Sequence, residues 1–256
     1  SKIAKNNKEY LFLEGVKIDD LRYGENPHQA ASIFSFNNKK EEKFFEQING
    51  KELSFNNLND LKTGLSLLSE FKNPAAVIIK HAIPCGVAET NNIYSSWMKA
   101  YQVDELSAFG GVVALNGNVD RKLAVKLSSI FLEVIAAKAF SKEALEVLNK
   151  KKNLRVLKII GLKKFKKEKP QSIITMPDIF LVQDSDTSNI TKKNIKIVSK
   201  KKPTNRELDD LIFANKVVKH VRSNAIVLAK NKVTLGIGSG NTSRVDSVNF
   251  AIQKSK

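Results

Sequence analysis

Residues 57–81 read NLNDLKTGLSLLSEFKNPAAVIIKH, and this stretch decides the fold class. Leu58, Leu61, Leu65 and Leu68, with Phe71, recur at helical spacing, and Asn57 or Asn59 can cap the start, so an amphipathic helix is expected. Asn73-Pro74 ends it. Ala75-Ala76-Val77-Ile78-Ile79 follows as a wholly apolar run, the pattern of a strand covered on both faces. A helix running into a buried strand is the signature of an α/β fold.

The same alternation continues in both directions. A second buried strand is expected at Gly111-Val112-Val113-Ala114-Leu115, then a helix from about Arg121 to Phe131, a short apolar run Val134-Ile135-Ala136 and a helix near 141–149. Residues 149–202 change character. Lysine clusters at 150–152, 163–164, 166–167 and 200–202 frame weak strands such as 154–160 and 179–182, so this region reads as a bridge between two subdomains rather than a core. A second unit opens at Pro203-Thr204-Asn205-Arg206-Glu207, where Thr204 with Glu207 forms a capping box for a helix through about Val221. Strands at 225–230 and 233–236 follow, with a turn at Asn231. The expected division is therefore a lead-in over 1–20, a first subdomain over 21–148, the bridge over 149–202 and the start of a second subdomain over 203–256. No convincing short internal repeat is visible, although both halves run helix, strand, then a polar or glycine-rich loop.

The 256 residues are 42% hydrophobic and 27% charged, enough apolar material for one large or two modest domains. No stretch approaches the roughly 18 uninterrupted apolar residues of a membrane span, and no basic-then-apolar leader precedes residue 30. One cysteine, Cys85, excludes an internal disulfide, and with three histidines it argues against a structural zinc site; a reducing cytoplasm fits. The net charge of +17 would attract polyanions or phosphorylated ligands. Only six of the 43 basic residues are arginine, the side chain that base readout and phosphate forks favour, and aromatic and basic residues do not interleave. A nucleic-acid surface is disfavoured, and the scarce arginines carry more information than the lysines. The chain begins at Ser1, and the segment from Asp246 to Lys256 reads as a helix that has barely started, so the whole reads as a piece of something longer.

Several constellations could carry chemistry. Lys80-His81 stands immediately after the strand 77–79, and in open α/β sheets ligands bind at the carboxyl ends of strands. An ammonium beside an imidazole disfavours the imidazolium, which would leave His81 able to accept a proton and Lys80 to act as the acidic or electrostatic partner. A solvated strand end is the plainer reading. Pro84-Cys85 matches half of the zinc-deaminase signature, but the second cysteine position is Ala88 and no His-x-Glu exists, so ligand count argues against zinc-dependent deamination. Cys85 is expected as a small, partly buried residue at a helix start. Gly110-Gly111 before a buried strand permits close backbone approach to a ligand, or simply a tight turn. Glu133 lies in an apolar segment where a carboxylate needs a partner, in a cleft or on a surface-facing turn. Asn224 opens a strand and can cap backbone groups or orient a substrate carbonyl. Gly236-x-Gly238-x-Gly240 lacks dinucleotide spacing and no Walker lysine follows, but Arg244 after it could help helix amides hold an anion.

Taken together, LRYGENPHQ at 21–29, GKELSFNN at 50–57, IIKHAIPCGVA at 78–88, DELSAFGGVVALN at 104–116, FLEVIAA at 131–137, the run from Lys201 to Lys230 and GIGSGNTSRVDS at 236–247 resemble one family. It is the aminoimidazole carboxamide ribonucleotide formyltransferase/IMP cyclohydrolase family of purine biosynthesis, in its formyltransferase part. The resemblance implies transfer of a formyl group from 10-formyltetrahydrofolate to the amine of the carboxamide ribonucleotide. By resemblance His81 is the proton acceptor, Lys80 its partner, and Asn224 orients the reacting groups. Arg22, Tyr23, Gly110, Glu133 and Arg244 match ribonucleotide-binding positions, and Val245 matches a position lining the folate pocket. The implied fold is a pair of cytidine-deaminase-like subdomains in which a mixed sheet is covered by helices, the second subdomain incomplete here. A homodimer with active sites at its interface, chemistry without a metal, a cyclohydrolase domain ahead of this segment and a continuation beyond it are also implied. A non-catalytic phosphoribonucleotide-binding fragment is the alternative.

Overall fold

The computed structural model describes residues 10–36, 44–167 and 171–255, so the first nine residues of the expected lead-in lie outside the described residues. In chain order, β1 (Val16–Leu21), β2 (Ala31–Ser35) and β3 (Phe45–Asn49) precede α1 (Phe55–Leu68), β4 (Ala75–Lys80), β5 (Ile83–Glu89) and α2 (Ile93–Val103). Next come α3 (Glu105–Ala108), β6 (Gly111–Val119), α4 (Arg121–Ser128), β7 (Leu132–Phe140), α5 (Lys142–Leu148) and β8 (Arg155–Ile159). The remainder holds α6 (Leu162–Lys167), β9 (Ser172–Thr175), β10 (Phe180–Gln183), α7 (Asn205–Val218), β11 (Ile226–Lys230), β12 (Val233–Gly238) and α8 (Arg244–Lys254). Eight strands form one mixed sheet in the order β11-β12-β5-β4-β6-β7-β8-β3, flanked by helices, which is the α/β class expected. Only β6–β7 and β7–β8 pair in parallel. The hairpins β1–β2 and β9–β10 form separate two-stranded sheets.

The apolar run 75–79 is buried on both faces because successive side chains leave a strand in opposite directions. Val77 and Ile79 meet Leu61, Leu65 and Leu68 of α1 on one face. Ala76 and Ile78 meet Trp97, Leu123 and Leu127 on the other. The deciding helix starts two residues before Asn57. Its cap is Ser54, whose Oγ accepts from the Asn57 amide while Asn57 Oδ1 accepts from the Ser54 amide, a reciprocal box that makes Asn57 the third helical residue. The capping box at Thr204 and Glu207 forms as expected. Two other expectations change. Cys85 sits inside β5, not at a helix start, because the turn after Lys80 returns the chain as a hairpin. The weak strand near 154–160 is β8, an interior strand between β7 and β3 with Val156 and Leu157 fully buried, so the front of the lysine-rich region belongs to the core.

The repeat that is faint in the sequence is plain in three dimensions. The unit α1–β4–β5–α2 recurs as α7–β11–β12–α8, and corresponding residues keep one constant offset: Ser54 and Thr204 as helix caps, Asp60 and Asp210, Lys80 and Lys230, His81 and Asn231, Gly86 and Gly236. Both hairpins turn on two residues with positive φ, His81 (52°) and Ala82 (59°) in one, Asn231 (54°) and Lys232 (55°) in the other. The first copy continues through β6, β7 and β8, and the described residues of the second stop at α8.

The copies join edge to edge. β12 pairs with β5 only at Val233 and Ala88, and the buried Thr234 hydroxyl completes the seam by accepting from the Val87 amide and donating to the Val87 carbonyl. A second tie links the ends of α1 and α7. The His220 imidazole and the Lys219 ammonium hold the Glu70 carboxyl well below its ordinary 4.5, at about 2, against the opposing pull of burial. Lys219 donates at 2.8 Å, whereas His220 Nε2, at 3.5 Å, is too far for good hydrogen-bond geometry and acts by proximity. A carboxyl depressed by folding stabilises above its unfolded pKa, and that stability is lost as pH falls from about 4.5 toward 2. Lys219→Met is therefore expected to cost about 2 kcal/mol in urea unfolding at pH 7. The difference from the parent protein should fade as the pH is lowered through that window.

Candidate active site

The two-residue turn between β4 and β5 places Lys80 and His81 on a cleft of about 260 Å³ between the two copies. Cys85, Asp104, Ser239 and Lys254 also line it. Lys80 Nζ donates to the carbonyls of Phe109 and Gly110, both at 3.0 Å, which leaves one of its three ammonium hydrogens for another acceptor. Gly110 has φ +67°, a conformation that favours glycine, and a Cβ there would stand 2.9 Å from Lys80 Nζ and push the ammonium aside. His81 is exposed at the mouth of the cleft. Asp60 of α1 accepts from the Ala82 amide at 2.6 Å, and burial pushes its carboxyl upward while the turn amides pull it back.

Glu133 lies at the start of β7, beside Gly110, whose amide donates to the Phe131 carbonyl at 2.7 Å. Its partner is Arg155 at 2.6 Å, a buried guanidinium that also donates to the Glu52 carbonyl through Nε and Nη2. The residues after Glu52 hold the 22–23 segment: the Arg22 amide donates to the Leu53 carbonyl and the Phe55 amide to the Tyr23 carbonyl. Arg155 thus connects the segment carrying Arg22 and Tyr23 to the one carrying Glu133. Arg22 itself is exposed, its guanidinium 5.2 Å from the Tyr23 ring centre.

In the second copy, Asn224 spends both amide hydrogens on the carbonyls of Asn241 and Thr242, at 3.0 Å each, and its own carbonyl accepts from Ser247. It fixes the loop that leads into α8 and makes no hydrogen bond to Lys80 or His81. Of its two sequence readings, backbone capping is realised for the amide nitrogen, and Oδ1 makes no hydrogen bond among the described residues. Arg244 and Val245 open α8 and are exposed. At the other end of that helix Lys254 pairs with Asp104 at 2.7 Å, tying α8 to the corner between α2 and α3. Burial raises the Asp104 carboxyl, but Lys254 and Ser107 more than offset this and hold it below the usual range. Burial, with Asp104 nearby, pushes the Cys85 thiol up to about 12, so it is an inert neighbour rather than a nucleophile. Among the described residues no group of three or more His, Cys, Asp or Glu stands ready to hold a metal ion, and no helix is long and apolar enough to cross a membrane.

Lys80, His81 and Gly110 come together directly, Glu133 and the 22–23 segment are linked through Arg155, and Asn224 and Arg244 stand apart from the cleft-lining residues, at the loop before α8 and the start of that helix. The cleft lies at the carboxyl end of β4 but at the amino ends of β6 and β7, because β4 runs antiparallel to β6. The rule that points to carboxyl ends thus located Lys80 and His81 and could not have located Gly110 or Glu133.

Comparison with known proteins gives this geometry a context. The model of the AICARFT/IMPCHase bienzyme family matches residues 1–254. The chain belongs to that family. It is 48% identical to the bifunctional purine biosynthesis protein PurH of Thermoanaerobacter sp. (strain X514) over 260 aligned positions, covering 98% of this chain and 50% of that protein. The PurH proteins of Bacillus cytotoxicus and Anoxybacillus flavithermus are 44% and 43% identical, each over 98% of this chain. The chain spans about half the length of the curated relatives it matches. Three positions had no role in the sequence reading. Asp60 was hidden in a helix; Asp104 and Lys254 gave no signal of their pairing. A fourth, Arg155, had none either, although its being one of only six arginines was a signal that could have found it.

Proposed function

We propose that this chain provides the formyltransferase part of a bifunctional enzyme of purine biosynthesis. It moves a formyl group from 10-formyltetrahydrofolate to the 5-amino group of 5-aminoimidazole-4-carboxamide ribonucleotide, and IMP cyclohydrolase activity resides elsewhere in the whole protein. The reading rests on family membership together with the placement of Lys80 and His81 at a turn facing an inter-copy cleft. The substrate amine is a weak nucleophile because its lone pair is drawn into the carboxamide-bearing ring. His81 accepts the amine proton as the new N–C bond forms to the formyl carbon. The bond from that carbon to the folate nitrogen breaks, and the nitrogen leaves with a proton supplied from the Lys80–His81 pair. Lys80, anchored on two carbonyls, keeps one ammonium hydrogen for the oxygen that becomes negative at the tetrahedral stage.

In this reading Arg22, Tyr23, Gly110, Glu133 and Arg244 hold the ribonucleotide, Asn224 orients the reacting groups, Val245 lines the folate pocket, and the working form is a cytoplasmic homodimer with interface sites. Arg22→Ala and Arg244→Ala are each expected to weaken ribonucleotide binding about tenfold by calorimetry in moderate salt, the loss of a charged hydrogen bond. Wild-type affinity in both variants would remove the assignment of this face. The alternative is a unit that binds the phosphoribonucleotide without catalysing transfer, favoured only by the chain's half-length match. Formyl transfer by the whole protein that vanishes with changes in this chain decides against it.

A further inference from the structure

The two copies of the helix–hairpin–helix unit allow one to serve as a control for the other. In the second copy Asp210 of α7 receives both turn amides, Asn231 N on Oδ2 at 2.9 Å and Lys232 N on Oδ1 at 2.8 Å. In the first, Asp60 of α1 receives the Ala82 amide on Oδ1 at 2.6 Å and faces the His81 amide as well. No histidine stands at the turn of the second copy, so turn-holding alone accounts for an aspartate at this helix position.

The need for such an anchor follows from the turn itself. Two consecutive residues with φ between 52° and 59° are the geometry of a tight hairpin turn that favours Asn-Gly, because side chains crowd the backbone there. His81-Ala82 is a poor sequence for it. Strained backbone persists only where its surroundings over-determine it. The titratable groups facing Asp60 are Lys80 and His81, both on the turn's own hairpin.

We infer that Asp60 is a positioning residue: its carboxylate, by holding the amides of the His81-Ala82 turn, sets the direction of the His81 imidazole at the cleft. This rests on the reading of His81 as the proton acceptor. A proton-sharing partnership between the Asp60 and His81 side chains is the rival account.

The experiment is steady-state formyl transfer by the whole protein carrying Asp60→Ala, Asp60→Asn or Asp210→Ala, with Tm recorded for each. Asp60→Ala is expected to lower kcat about 10- to 100-fold, the scale of a misplaced catalytic group, with KM for both substrates within about threefold of the parent. Asp60→Asn keeps an oxygen acceptor and should recover most of that loss without moving the pH–rate profile. Asp210→Ala should lower Tm as much as Asp60→Ala does while kcat stays at the parental level. Ala82→Gly added to Asp60→Ala relieves the strained backbone and should restore part of kcat, which keeps the test decisive if Asp60→Ala alone folds poorly. Parental kcat in a folded Asp60→Ala would overturn the inference. So would an Asp60→Asn protein as slow as Asp60→Ala with a shifted pH profile. Absence of formyl transfer in the parent protein, or its survival in His81→Ala, would instead defeat the reading on which this rests.

Discussion

Replacing His81 with alanine in the whole protein is expected to lower formyl transfer by about 10²- to 10⁴-fold, the contribution of one positioned general base. The ribonucleotide should still bind, because the groups assigned to hold it stand on other elements: the 22–23 segment, the start of β7 and the start of α8. A kcat defect with near-parental ribonucleotide affinity is therefore the signature. His81 is exposed and sits on a two-residue turn, so truncation there removes little packing and Tm should hardly move. Turnover within about threefold of the parent would eliminate His81 as the base. A parallel fall in Tm and in both affinities would show that the histidine holds the turn rather than handles a proton.

How far the site could be read from sequence depended on whether a residue's role is local. Lys80-His81 was legible because a wholly apolar run followed by an abrupt polar pair marks a strand end. The capping box at 204–207 was legible for the same reason, since its two hydrogen bonds span three residues. Arg155 was not, because its meaning comes from partners at Glu52 and Glu133, and its strand is five residues long inside a lysine-rich region. The duplicated unit was missed because the copies share anchor residues rather than a motif. Ser54 answers to Thr204 and His81 to Asn231, and only the common turn geometry shows that these are the same positions. The mixed topology also escaped: apolar periodicity reports that β4 is buried on both faces, but not that its neighbours β5 and β6 both run against it.

The largest stability effect is expected at Gly86, and the duplication predicts it twice. A Cβ on Gly86 of β5 would lie 2.0 Å from the Ala100 carbonyl oxygen of α2, and a Cβ on Gly236 of β12 would lie 2.0 Å from the Ala251 carbonyl oxygen of α8. These obstacles are helix backbone, which cannot rotate away as a side chain would, so the helix must lift off the sheet. Alanine ordinarily suits a strand better than glycine, so propensity alone predicts a small gain. The clash predicts instead a loss of about 3 kcal/mol or more, comparable with deleting most of a buried leucine such as Leu65. Gly86→Ala and Gly236→Ala should each shift the urea midpoint by a similar amount, and equal or higher stability in either would refute the close packing of that helix. The two differ in consequence. Lifting α2 disturbs the first copy's core around Trp97 and shifts Val103 and Asp104 at the cleft, whereas lifting α8 moves Phe250 and Lys254 at the cleft and also Arg244, which is assigned to the ribonucleotide, at its other end. At a temperature where both variants remain folded, Gly236→Ala should therefore lose more ribonucleotide affinity than Gly86→Ala for the same loss of stability.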